Sequence, residues 1–339
     1  MKLLDAKKLS DLAAALHAKG YRVVAPILDG DDVRLKEWSA GAVLRPDVIP
    51  VNSVKDFLMP KTDVIGRYAI EGNDFAPKDV PISAPKTVLL AVRSCDAAAL
   101  KMLDTVFNWD YKDAFYNARR AATTVVTLVC SASDDQCFCT TVGGAPDSTA
   151  GADAVLRPAD GGAKFIVESL DEKGKAVLDA AGAVLSDGTA KADPPAKVAA
   201  KFDLKALQTW LSNPENFESD LWEAVSLACL GCGACAYMCP SCHCFDIQDE
   251  ATRTESVRVR TWDACGLGLF TLHTSGHNPR ATQAARWRQR VMHKFAYAPE
   301  RFQIVACSGC GRCGRLCGAG MAISEVCHQI AQAREAVRK

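Results

Sequence analysis

The chain has 339 residues, ordinary apolar content and a formal net charge of zero, which is enough material for two domains with a sizeable core. It contains no run of about 18 apolar residues, so no membrane span is expected. Met1 to Gly20 reads as a charged amphipathic helix (Leu9, Leu12, Ala13, Leu16) without the apolar centre of a signal peptide, and the expectation is a cytoplasmic protein. In that compartment, sixteen cysteines point to bound metal rather than to disulfides.

The first part of the chain alternates strands and helices. Tyr21 to Ile27 and Val33 to Trp38 read as strands around an Asp-Gly-Asp-Asp turn. Lys86 to Val92 is a near-continuous apolar run, the pattern of a strand buried on both faces. Asp96 to Phe107 has helical spacing, Thr123 to Val129 is a second buried strand, and Lys164 to Glu168 is a third, followed by a helix near Asp171 to Ala181. This order predicts an α/β domain over residues 1–200, with Ser186 to Lys201 as the connection. Beyond Leu204 the pattern turns helical and the cysteines cluster. Phe217 to Leu227 and Arg280 to Phe295 read as helices.

Two cysteine motifs share one spacing. The first is Cys229, Cys232, Cys235, Cys239 followed by Pro240; the second is Cys307, Cys310, Cys313, Cys317 followed by Gly318. Intervals of two, two and three residues match the bacterial ferredoxin pattern. Three cysteines on a tight loop wrap three corners of a 4Fe-4S cube, and small residues (Gly231, Gly233, Gly309, Gly311) let backbone N–H groups point at sulfur. The fourth cysteine of such a motif ligates the other cluster. The expected sets are therefore Cys229, Cys232, Cys235 with Cys317, and Cys307, Cys310, Cys313 with Cys239. Zinc is the alternative for four thiolates, but zinc sites come as paired motifs rather than as two such quartets. The 67 residues between the motifs, numbers 240–306, exceed what a compact two-hairpin ferredoxin needs. An all-helical ferredoxin-type domain over residues 201–339 is the resulting expectation.

Four more cysteines fall at predicted strand ends: Cys95, Cys130, Cys137 and Cys139. Ligands of parallel sheets gather at the carboxyl ends of strands, so this group is a candidate for a third 4Fe-4S cluster. Buried free thiols and zinc are the other readings. Arg93, Arg119 and Arg120 flank the same edge as candidate cofactor-binding cations, or else as a solvated ion-pair face. Cys242, Cys244 and Cys265 are left without a role, as extra ligands with His243 or as pocket lining. His273, His277 and His293 read as packing residues ahead of a proton relay. Residues 227–339 hold 14 Lys+Arg against 8 Asp+Glu, the remainder 26 against 32. Anionic clusters account for that local surplus, so no nucleic-acid partner is expected. Arg286, Arg288, Arg290, Arg312 and Arg315 are candidates to raise cluster potentials or dock a partner. No GxGxxG or GxxxxGK[ST] is present, and no catalytic residues stand out.

The segments Ala91 to Asp96, Cys137-Phe-Cys139, Cys229 to Asp246, Trp262 to Cys265 and Ser275 to Arg280 resemble one family. It comprises the 4Fe-4S dicluster electron-transfer subunits of multi-subunit oxidoreductases. Among them are the sulfhydrogenase beta subunit, the anaerobic sulfite reductase A subunit and the iron–sulfur subunit of flavin oxidoreductases linked to heterodisulfide reductase. The resemblance runs from about residue 50 to the end, with Ser94 and Gly318 where the family has Pro. It implies single-electron relay between a flavoprotein diaphorase-type subunit, which carries FAD and NAD(P), and a catalytic oxidoreductase subunit. Direct reduction of a sulfur substrate at the Cys95 site, or a non-enzymatic sensor or scaffold, are the alternatives.

Overall fold

The computed structural model describes residues 1–336 except Asn73. Its larger sheet has the order β10-β1-β9-β8-β7-β6-β2-β3. The strands are β1 (Lys2–Asp5), β2 (Arg22–Asp29), β3 (Asp32–Glu37), β6 (Thr87–Arg93), β7 (Thr123–Leu128), β8 (Ala154–Ala159), β9 (Lys164–Ser169) and β10 (Ser186–Asp187). The pairs β2–β6, β6–β7 and β7–β8 are parallel, and the outer pairs are antiparallel. Every residue of β6 and β7 is buried, because helices cover both faces. On one face α1 (Leu9–Ala18) and α5 (Glu172–Ala181) pack Leu12, Leu16 and Val177 against Val23, Leu90 and Val126. On the other, α2 (Lys55–Leu58), α3 (Ser94–Val106) and α4 (Ala114–Ala121) pack Leu58, Leu100, Leu103 and Tyr116 against Val24, Leu89 and Val125.

β6 ends in a bulge. The register shifts between Leu90 and Val92, and Ala91 takes a φ of +55°, a left-handed conformation that is rare outside glycine. The bulge re-aims the strand end that leads through Arg93 and Ser94 into Cys95.

The smaller sheet is antiparallel, in the order β11-β12-β4-β5, with β4 (Thr62–Glu71), β5 (Asp74–Lys78), β11 (Phe245–Ala251) and β12 (Glu255–Trp262). It joins a hairpin from between the two cysteine motifs to a hairpin from before the first buried strand. A buried ion-pair group fastens it to α4: Arg119 donates to both oxygens of Asp63 at 2.8 and 2.9 Å, and Arg260 donates to Asp63 at 3.0 Å.

This architecture corrects the expectation of an α/β domain followed by an all-helical ferredoxin-type domain. The N-terminal part is β-rich with two sheets, and the C-terminal part contributes strands as well as helices. The hairpin was hidden because β11 (Phe-Asp-Ile-Gln-Asp-Glu-Ala) is exposed from Asp246 onward, so it shows no buried alternation.

Helices α6 (Leu204–Leu211), α7 (Leu221–Ser226), α9 (Gln283–Met292) and α12 (Ile323–Ala336) enclose a separate core of Trp210, Trp222, Trp287, Phe295 and Ile330. Phe138, from the loop after β7, inserts into that same core. Between α7 and α9 lies α8 (Ala234–Tyr237); α10 (Ala298–Phe302) and α11 (Arg312–Arg315) lie between α9 and α12. Among the described residues no helix is long and apolar enough to cross a membrane.

Candidate metal centre

The first cysteine loop begins where α7 ends, with Cys229 N donating to Ser226 O at 2.9 Å. Gly231 and Gly233 take φ of +67° and +74°, which folds the chain back on itself. Cys229, Cys232 and Cys235 line one cavity, and Cys317 lines it too, with Gln283, Arg286 and Arg290 opposite. Gln283 Nε2 donates to Cys229 Sγ at 3.0 Å, and Gly231 N donates to the same sulfur at 3.4 Å.

The second loop repeats this geometry. Gly309 and Gly311 take φ of +64° and +73°, and Gly311 opens the four-residue helix α11 as Gly233 opens α8. Burial pushes Cys307 up to about 12, and the charge of the neighbouring Cys239 adds to the shift there and at Cys310. Cys239 thus stands with the second loop and Cys317 with the first, as the crossed pairing requires. Lys294 Nζ donates to Cys239 Sγ at 3.5 Å and to Ala306 O at 2.7 Å.

The Cys137-Phe-Cys139 loop lies directly on the second loop. Phe138 N donates to Gly309 O at 2.9 Å, and Arg315 donates to Cys310 O at 2.7 Å and to Cys137 Sγ at 3.2 Å. Asp134 holds Arg315 in place, and this ion pair holds the Asp134 carboxyl down at about 2. Cys95, in the first turn of α3, lines a cavity of about 390 Å³ with Cys139 and Cys307. Burial pushes Cys139 up to about 11, with the charges of Cys130 and Cys137 adding to it. The four thiols at the carboxyl ends of β6 and β7 therefore gather beside the second motif.

Of the three arginines expected at that edge, only Arg93 is there; it is buried and opposes the burial-driven rise at Cys130. Arg119 and Arg120 lie on α4, which leads into the start of β7, roughly 20 Å of strand away from the cysteines. They pair with Asp63 and Asp104. Their closeness to Thr123 in sequence had placed them at the wrong end of the strand.

The cations at sulfur are different ones. Arg288 faces outward onto Glu218 and Phe217, and Arg312 is bound to Asp96. Lys55 and Lys294, which no motif marks, are buried beside the thiols. His293 stands 5.3 Å from His243, ring to ring; burial pushes them down to about 3 and 4. His273 and His277 lie together in an exposed turn.

Residues 228–321 match the family described as 4Fe-4S dicluster domain. Sulfhydrogenase 2 subunit beta of Pyrococcus furiosus is 29% identical over 311 residues, covering 88% of this chain and 89% of that protein. Over most of its length the chain is similar to a 4Fe-4S dicluster electron-transfer subunit. No solved structure matches the chain. Its repeated loops, with glycines at matching left-handed positions and donors at sulfur, suit the cluster chemistry of that family.

Proposed function

We propose that this dicluster subunit relays single electrons between a flavin- and NAD(P)H-binding subunit and a catalytic subunit of a cytoplasmic oxidoreductase complex. The observation that carries the reading is that Cys317 lines the cavity of the first three-cysteine loop, and that Lys294 links Cys239 to Ala306, next to Cys307 of the second. A cluster held by Cys229, Cys232, Cys235 and Cys317 then lies next to one held by Cys307, Cys310, Cys313 and Cys239. A flavin that takes a hydride from NAD(P)H releases two electrons one at a time, and adjacent one-electron centres accept them in sequence. Cys95, Cys130, Cys137 and Cys139 hold a third cluster in this reading, supported by their convergence beside Cys307 and Cys310.

The test is anaerobic reduction followed by the visible absorbance of the clusters. NAD(P)H with the flavoprotein encoded beside this chain bleaches them, and NAD(P)H without it does not. Absence of reduction with every neighbouring flavoprotein sinks the relay. A second reading, sulfur-substrate reduction at Cys95, rests on the cavity that reaches this thiol. Undiminished polysulfide reduction by a Cys95→Ala complex rules it out.

A further inference from the structure

The hairpin β11–β12 brings together three cysteines that neither motif uses. Cys242 and Cys244 immediately precede β11, and Cys265 follows β12. The register pairs Phe245 with Trp262, and Asp263 N donates to Cys244 O at 3.1 Å, so the two sides of the hairpin base are tied just where the cysteines stand. Cys242 is 8% exposed and Cys265 9%, and all three are free thiols. With His243 and His293 they line one small pocket. Among the described residues no three Cys, His, Asp or Glu side chains close on a single-ion position. The thiols surround a gap instead.

Two buried cations, Arg290 and Lys294, line this gap, and a third, Lys55, lies near the same thiols. Arg290 Nη1 is 3.9 Å from Cys242 Sγ, and Lys294 lies against Cys239 and Ser241. Lys294 is brought in by a π-helical turn at His293–Tyr297, a widening of the helix that recurs at functional sites. Lys55 donates to Ala236 O at 3.2 Å from above the Trp262 ring; burial lowers its pKa, and the charges of Cys242 and Cys239 oppose that shift. None of these three forms an ion pair with a carboxylate among the described residues, and Arg290 Nε is buried without a hydrogen-bond partner. Of the other buried arginines, Arg119, Arg260 and Arg312 have carboxylate partners, and Arg93 stands beside the Cys130 thiol instead. Buried charge needs counter-charge. Cys235 of the first motif, whose carbonyl accepts from Arg290, and Cys239 of the second, beside Lys294, supply part of it, and neutral thiols or a disulfide at the hairpin base add none. Thiolates on an anionic iron–sulfur core do.

We propose that Cys242, Cys244 and Cys265 hold an iron–sulfur cluster of their own, distinct from those of the two motifs, with Lys55, Arg290 and Lys294 as its counter-charge. This goes beyond the relay and rests on it only for the assignment of Cys239. The hairpin is then the device that closes the third ligand onto the first two. The site adjoins Cys239 on one side. On the other, His243 and His293 separate it from a surface pocket lined by Trp109, Arg301 and Phe302.

The test compares iron and acid-labile sulfide per chain in the anaerobically purified full chain, in Cys265→Ala and in Cys130→Ala. Cys265→Ala is expected to lose about four iron and four sulfide while keeping the reduced-state EPR signals of the two motif clusters. If Cys265→Ala does not fold, Cys244→Ala, at a less buried thiol, carries the same expectation. Iron and sulfide unchanged in the folded variant overturn the proposal. Because Cys130→Ala reports separately on the Cys95 group, loss there and not at Cys265 also overturns it, and the reverse result leaves it standing without the third cluster of the relay.

Discussion

Arg312 donates to both carboxylate oxygens of Asp96 at 2.8 Å, and each side chain is 1% exposed. Arg312 also donates to Pro50 O at 2.8 Å. One side chain thereby ties the second cysteine loop to the first turn of α3, beside Cys95. Removing one partner of a buried ion pair costs about 3–5 kcal/mol, because the other charge is left unpaired. Arg312→Ala is expected to lower the unfolding temperature and to deplete iron from the second motif. Arg312→Lys recovers little of either, since an ammonium cannot reproduce the two-pronged contact. Thermal unfolding and iron content check both variants; a wild-type unfolding temperature for Arg312→Ala contradicts the structural role.

Gln283 reaches Cys229 with a 3.0 Å N–H···S contact. Reduction makes a cluster more negative, so a donor at its sulfur favours the reduced form. Gln283→Leu is expected to lower one midpoint potential, on the order of tens of millivolts, and leave the others in place. Redox titration followed by EPR reads this directly, and an unshifted set of potentials counts against ligation by Cys229.

Lys294 acts in the same sense, with larger effect. Its ammonium lies 3.5 Å from Cys239 Sγ, and the side chain is buried. Lys294→Met removes a buried positive charge beside the second motif, and the expected outcome is a lower midpoint potential there. A rise in that potential contradicts the account.

Gly311 combines a φ of +73° with close packing: a Cβ there would press into the carbonyl of Gln136. Gly311→Ala is expected to push the Cys137-Phe-Cys139 loop off the second cysteine loop and to reduce iron loading. Gly320→Ala is the control, with the same left-handed backbone but open space around it. Equal iron content in the two variants removes the packing argument and leaves only backbone strain.

The two cysteine motifs were legible because their spacing is a local property: ligand positions, glycines and loop geometry all fall within eleven residues. The buried strands β6 and β7 were legible because burial on both faces leaves a continuous apolar run. The hairpin β11–β12 was not, since its strand β11 is exposed and polar. Lys55 and Lys294 were invisible for a related reason. A lysine reads as surface, and only the thiols that surround these two explain why they are buried. Arg119 illustrates the opposite error: it sits four residues before the buried strand residue Thr123, yet its partner is Asp63 in the other sheet.

The central claim is that the two motifs carry 4Fe-4S clusters for electron transfer. Iron, acid-labile sulfide and zinc measured together on the anaerobically purified chain test it most directly. The account predicts at least about eight iron and about eight sulfide per chain, with any further iron in steps of about four and no stoichiometric zinc. About two zinc per chain without labile sulfide would contradict it.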